Sequence, residues 1–219
     1  QSKINLFPSV MNSYEVAGTV TDLAAKETGL NPGVPVVIGL ADVQAAMVGA
    51  GVSQAGRAGS IVGTSSLNNV ILDQPSFEPS GVGFEFLMPD NLWIRSLTNT
   101  SGTINLDWFL DIFGFEEKQE AESRKIDIYK LLDEIAGGVP VGSSGIIYHP
   151  YINLTGVSAP FRNVAARAQF FGLDINHEKK HLLRAVYEGL ALSMRELYDS
   201  ISRDIDDVYI IGGGSNSPF

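Results

Sequence analysis

The sequence predicts an α/β fold, and three observations carry that reading. Apolar, β-branched runs such as Val34-Pro35-Val36-Val37-Ile38-Gly39-Leu40 stand directly before stretches of helical periodicity. Glycine-bearing turns follow three such runs, at Gly39, Gly63 and Gly212. The second half of the chain repeats apolar residues at helical spacing over long amphipathic stretches.

Along the chain, Val16 to Val20 reads as a strand, and Thr21 caps a helix through Asp22 to Glu27 that stops near Gly29. Asn31-Pro32-Gly33 is a turn, and Val34 to Leu40 has the composition of a strand buried on both faces. Asp42 then opens a helix of small residues reaching Ala50. Gly51 to Gly59, rich in Gly and Ala, is the candidate domain boundary. Closely spaced strands follow at Ser60 to Val62, Asn69 to Leu72, Gly83 to Met88 and Leu92 to Leu97, as in an antiparallel meander. Ile104 to Phe113 and Ile126 to Ala136 read as helices, with the charged stretch Glu116 to Lys125 between them as a solvated linker. Asn176 caps a long helix from about His177 to Ser202, and Val208 to Ile211 is the last strand. Both ends read as internal to a longer protein, because the chain opens on the polar Gln1-Ser2-Lys3 and closes on a glycine loop that usually feeds a helix.

Composition narrows the function. A formal net charge of -10 over 219 residues leaves no basic stripe for nucleic acid, though backbone N–H groups could still hold a phosphate. The absence of cysteine removes disulfides, thiolate nucleophiles and Cys-ligated metals together, and it suits a reducing, cytoplasmic setting. No apolar run is long enough to span a bilayer. Asn99-Thr100-Ser101 and Asn153-Leu154-Thr155 spell glycosylation sequons and are read as chance matches.

The chemistry-bearing candidates sit at the turns. Asp42, at the C-terminal end of an apolar strand, is either a helix cap or a carboxylate that takes the proton of an attacking hydroxyl. Gly63-Thr64-Ser65-Ser66 offers accessible N–H groups and hydroxyls to an anion, although a plain β-turn would look the same. Gly212-Gly213-Gly214-Ser215-Asn216 lets a flat or anionic ligand approach the backbone closely. His177-Glu178-Lys179-Lys180-His181 spells the zinc-protease H-E-x-x-H pattern, but it falls at a helix start crowded by lysines and no third ligand can be placed. No metal ligand set is expected.

Ala168-Gln169-Phe170-Phe171-Gly172-Leu173, then seven residues, then His181-Leu182-Leu183-Arg184-Ala185-Val186-Tyr187-Glu188, resembles the second signature of the FGGY carbohydrate kinases. The Ala159-Pro160-Phe161 and Ala166-Arg167-Ala168 stretches before it are similar to that family, and four motifs occur in the family's order. The resemblance covers essentially the whole chain. It implies actin-like domains of the ribonuclease H type with a cleft between them. Residues 1–55 would end the N-terminal domain and residues 56–219 would form most of the C-terminal one. By the same resemblance Asp42 is the catalytic base, Gly63 and Thr64 belong to the second phosphate loop, and Gly213, Gly214 and Asn216 lie along the adenosine. Gly102-Thr103, opening the helix that contains Trp108, resembles a further nucleotide-side turn.

The implied activity is ATP- and Mg²⁺-dependent phosphorylation of a sugar or polyol, with a pentulose or tetritol favoured by the wording around Asp42 and Trp108. The implied partner is that small molecule, with neither nucleic acid nor membrane, and a homodimer is compatible. The N-terminal phosphate loop and first signature of the family are absent, so the 219-residue chain alone is expected to be inactive. The competing reading is an actin-like nucleotide-binding module without catalysis.

Overall fold

The computed structural model describes residues 8–202 and 204–219, so the Gln1-Ser2-Lys3 stretch lies outside the described residues. Strand β1 (Val16–Thr19) leads into helix α1 (Asp22–Thr28), where the Thr21 hydroxyl accepts the Ala24 N–H at 3.2 Å. Gly29 ends the helix at φ +77°, a left-handed conformation that glycine adopts without a Cβ penalty. Strand β2 (Pro35–Val37) pairs antiparallel with β1. This corrects the expectation of a doubly buried strand over Val34–Leu40. The two strands form an isolated ribbon exposed along its length, because no layer among the described residues covers either face.

Helix α2 (Asp42–Gly49) follows, and then strands β3 (Arg57–Val62), β4 (Ser66–Leu72), β5 (Phe84–Leu87) and β6 (Trp93–Asn99) form the expected antiparallel group. Helix α3 (Ile104–Phe113) has the span its periodicity predicts. The stretch expected as a solvated linker is instead helix α4 (Phe115–Arg124). Its Glu117 and Ala121, four residues apart, are both buried, and the Glu117 carboxylate meets Lys179 Nζ at 2.6 Å. Helix α5 (Ile128–Gly137) is capped by Asp127, whose carboxylate accepts the Tyr129 and Lys130 N–H groups.

Two further strands were not legible in the sequence. β7 (Ile147–His149) and β8 (Gln169–Phe171) pair antiparallel and are three residues each, too short to show an alternating pattern. Helix α6 (Lys179–Ile201) starts later than expected and is capped by Glu178 rather than Asn176. A capping box explains the difference, since the Glu178 carboxylate accepts the N–H of His181 while the His181 ring accepts the N–H of Glu178.

Strand β9 (Asp207–Ile211) completes a five-stranded sheet of order β5-β6-β4-β3-β9. Every pairing is antiparallel except β3 with β9. An antiparallel group of strands extended by a parallel strand after a helical crossover is the ribonuclease H-like arrangement. Adjacent residues of β4 serve opposite faces. Ile71 joins Val43 and Met47 of α2, with Ile94, while Val70 joins Ala58 and Tyr198 of α6. A separate core lies between α3, α5, α6 and β7, built on Phe109, Leu132, Tyr148 and Val186.

Helix α6 approaches β7 so closely that a Cβ on Gly189 would overlap the Tyr148 carbonyl. We therefore expect Gly189→Ala to destabilise the fold by about 1–3 kcal/mol in denaturant melts. Gly49→Ala, inside α2 with open space around it, should cost nothing and serves as the control.

Candidate active site

The parallel ladder places Ile61 opposite Ile211, so the turns after β3 and β9 leave the sheet side by side. Their contact depends on glycine. A Cβ on Gly212, which sits at φ +92°, would lie 2.7 Å from the Val62 carbonyl oxygen, and one on Gly214 would lie 2.6 Å from Val62 Cγ1. Gly213 differs, because nothing stands within 4 Å of its Cβ position. The third turn joins through the backbone. The Gly102 and Thr103 N–H groups donate to the Thr64 and Gly63 carbonyls, both at 2.8 Å.

Gly63, Thr103, Gly213, Gly214 and Asn216 thus line one cavity of about 1020 Å³. Thr64 is exposed beside it, whereas Gly102 is buried and faces the Gly63–Ser65 backbone rather than the cavity. Asp42 is not brought to this cavity. It is an exposed first residue of α2, its carboxylate accepts the adjacent Val43 N–H at 2.8 Å, and the N-cap position falls to Ala41. The cap half of the two readings of Asp42 is therefore not met.

Sequence reasoning missed the far wall, which α5 provides through Tyr129, Lys130, Asp133, Glu134 and Gly137, with Tyr187 and Phe219 beside them. Helical periodicity identifies α5 but not which of its polar residues face a cavity formed with distant segments. Three carboxylates on this wall are engaged inside the protein. Asp127 caps α5, Asp133 accepts the Tyr187 and Ser217 hydroxyls at 2.7 and 2.9 Å, and Glu134 pairs with Arg124 at 2.7 Å. Burial, with the Asp133 hydrogen bond, pushes the Tyr187 phenol far above its ordinary value, so it remains a donor. The Asp107 carboxylate and then burial push Tyr129 up to about 12.

These residues fit a nucleotide. The cavity matches the volume of ligand pockets, roughly 300–1,000 Å³. Gly213 leaves a cradle that a Cβ would fill, Tyr187 and Phe219 supply flat apolar surface, and the acidic side chains are already partnered. Among the described residues no cluster of three or more His, Cys, Asp or Glu forms a cage for a metal ion. A magnesium ion carried mainly by substrate phosphates would need no such cage.

The H-E-x-x-H histidines serve local structure. His177 Nδ1 accepts the Asp174 N–H at 2.8 Å, and His181 Nδ1 accepts the Glu178 N–H at 2.9 Å. No helix is long and apolar enough to cross a membrane among the described residues.

Comparison with known proteins identifies the family. Residues 58–219 match the C-terminal domain of the FGGY family of carbohydrate kinases, and residues 2–49 match its N-terminal domain. The chain belongs to the FGGY family of carbohydrate kinases. It is 32% identical to a gluconokinase of Bacillus subtilis over 182 residues, covering 83% of this chain and 35% of that protein. It is 30% identical to an erythritol kinase of Brucella abortus over 227 residues, covering 99% and 42%. A xylulose kinase structure from Rhodospirillum rubrum superposes with a TM-score of 0.82 at 27% identity, covering 96% of this chain and 41% of that one. The chain thus spans about two fifths of the length of these relatives, and the fold is the actin-like, ribonuclease H-like one of the sugar kinases.

Glu188 braces the cavity's apolar end. Its carboxylate accepts Arg184 Nε at 2.7 Å, the Ser143 hydroxyl at 2.7 Å and the Gly142 N–H at 3.0 Å, while the Arg184 guanidinium lies 4.7 Å from the centre of the Phe219 ring. Burial alone would raise the Glu188 pKa, but those three donors hold it below the ordinary 4.5. A depressed folded-state value means stability that is complete above 4.5 and lost as the pH falls through the folded value. We expect Glu188→Gln to cost about 2 kcal/mol at neutral pH. In denaturant melts across pH, its deficit against wild type should shrink on acidification, and a gap that stays constant would show that the charge is not what matters.

Proposed function

We propose that the protein transfers the γ-phosphoryl group of ATP to a hydroxyl of a sugar or polyol, with a pentulose or tetritol favoured. The observation that carries this reading is the convergence of three turns, Gly63-Thr64, Gly102-Thr103 and Gly213 to Asn216, around one cavity at the carboxyl ends of β3 and β9. That edge is where sheets of this class bind ligands. The relatives named above are kinases of gluconate, erythritol and xylulose by name, which supports a polyhydroxylated acceptor.

In this reading residues 1–55 end one domain, residues 56–219 form the second, and the cytoplasm is the setting. Thr64 faces the phosphates, and Gly213, Gly214 and Asn216 lie along the adenosine. Bound magnesium would neutralise phosphate charge. Asp42 receives the proton of the acceptor hydroxyl as that oxygen attacks phosphorus. Its exposure leaves the carboxylate oxygen that does not accept the Val43 N–H open to a substrate, and its place outside the nucleotide cavity suits a group that acts on the acceptor. The same placement is what favours the second reading, a nucleotide-binding module without catalysis.

ADP release by the full-length protein against pentuloses, hexuloses, gluconate, glycerol and tetritols tests the activity. Nucleotide binding with no turnover on any of them would select the second reading. In the active protein, Gly213→Val should raise KM for ATP at least several-fold and leave the acceptor KM unchanged, since its branches enter open space that the nucleotide would occupy. A rise in the acceptor KM would instead displace the loop from the nucleotide side.

Asp42→Asn keeps the oxygen that accepts the Val43 N–H but cannot take a proton. We expect kcat to fall at least about a hundredfold, with Tm and ATP affinity unchanged. Retained turnover would move the base elsewhere.

A further inference from the structure

We propose that Asn105, held in turn by the Tyr148 hydroxyl, is the positioning residue that fixes the Ser101–Thr103 turn and, through it, the Gly63–Thr64 turn at the floor of the cavity. The proposal rests on the nucleotide reading of that cavity.

Asn105 is fully buried in the first turn of α3. Its Nδ2 lies 2.9 Å from the carbonyl oxygens of both Ser101 and Gly102, and its Oδ1 lies 2.9 Å from the Tyr148 hydroxyl. Chemistry fixes these roles. Two carbonyls can only accept, so the amide NH₂ must face them, and the remaining oxygen requires Tyr148 to donate. Tyr148 is itself 2% exposed, and burial pushes its phenol up to about 12, so it donates across the working pH range.

Peptide planarity carries the effect to the cavity. In a trans peptide the carbonyl and the following N–H lie in one rigid plane and point in opposite directions within it. Asn105 grips the carbonyls of two successive units, Ser101–Gly102 and Gly102–Thr103. The N–H groups at the opposite edges of those two units are the ones donated to the Thr64 and Gly63 carbonyls at 2.8 Å. One side chain therefore sets the orientation of both bonds that join the turns. Neither plane can rotate without breaking a bond on each side, and the fully buried Asn105 has no water to replace what is lost. Gly63 and Thr103 both line the cavity, so the grip ends at the ligand-facing surface.

Other ties make the turn stiff rather than merely present. The Asn99 carboxamide oxygen accepts the Ser101 N–H at 2.9 Å, and the Ser101 hydroxyl accepts the Asn153 N–H at 3.1 Å. Neither reaches the two peptide planes that contact the Gly63 turn. Asn105 alone among these groups acts on both.

Tyr148→Phe removes only the hydroxyl and keeps the ring that packs on Phe170 at 4.6 Å, so it should fold. In the full-length protein we expect ADP affinity by calorimetry to weaken about three- to tenfold, with KM for ATP rising alike and the acceptor KM unchanged. Amide exchange at Gly102 and Thr103 should accelerate at least about tenfold, while the β4–β6 ladder stays protected. Asn105→Asp, which turns a carboxylate oxygen toward two carbonyls, should weaken ADP further if it folds. A Tyr148→Phe protein that binds ADP like wild type with Gly102 and Thr103 still protected would overturn the proposal alone. Failure of the wild type to bind ADP would remove the nucleotide reading and the positioning role with it.

Discussion

Strands β3 and β9 run side by side in the same direction, from Arg57 opposite Asp207 to Ile61 opposite Ile211. Because the direction is shared, the chain leaves both strands at one edge of the sheet. An antiparallel pairing would send the two turns to opposite edges, roughly 17 Å apart for a five-residue strand. Parallel neighbours also require a long crossover, which here contains α3 to α6 and the β7–β8 pair. The cavity is the space enclosed between that crossover and the two turns, so its far wall and its floor have one origin. Within that crossover α6 packs on β7 backbone to backbone at Gly189.

The parts of this arrangement legible in the sequence are those governed by local chemistry. Thr21 and Gly29 mark the ends of α1 because hydroxyl capping and the left-handed conformation are properties of single residues. The glycines at 63, 213 and 214 stand out because they follow apolar strands, and all three face the cavity. Where a feature depends on what lies opposite, the same reasoning fails. Helix α4 is too polar to show an apolar stripe, and it becomes intelligible only once Glu117 meets Lys179 from α6. Tyr129, Asp133 and Tyr187 carry no signal as lining residues, because the cavity exists only when α5, α6 and the last turn are assembled. At Gly102 the lack of a side chain serves contact with the Gly63–Ser65 backbone, which no local pattern reveals.

The H-E-x-x-H stretch shows the limit of spacing as an argument. Two imidazoles at i and i+4 do share a side of a helix, with ring centres 5.7 Å apart. Each has nevertheless committed its Nδ1 to a backbone N–H at or just before the start of α6. The pattern that would describe metal ligands in mid-helix describes, at a helix start, the means by which the helix begins.

The two glycosylation sequons end up in contact, which bears on when such a modification could occur. Asn99 is 8% exposed and donates its amide to Ser193 of α6 at 3.0 Å, while Asn153 donates to the Thr100 carbonyl at 3.3 Å. The threonines meet as well, Thr155 donating to Thr100 at 3.0 Å. An oligosaccharide on Asn99 would consume the amide nitrogen that donates to Ser193 of α6, and Asn99 is too buried to leave room for its bulk. In a secretory host, transfer to Asn99 would require a chain not yet folded, before Ser193 of α6 takes up its amide. The glycan would then hold that chain out of its native state. Folding and sugar attachment compete for the same nitrogen atom, and whichever comes first excludes the other.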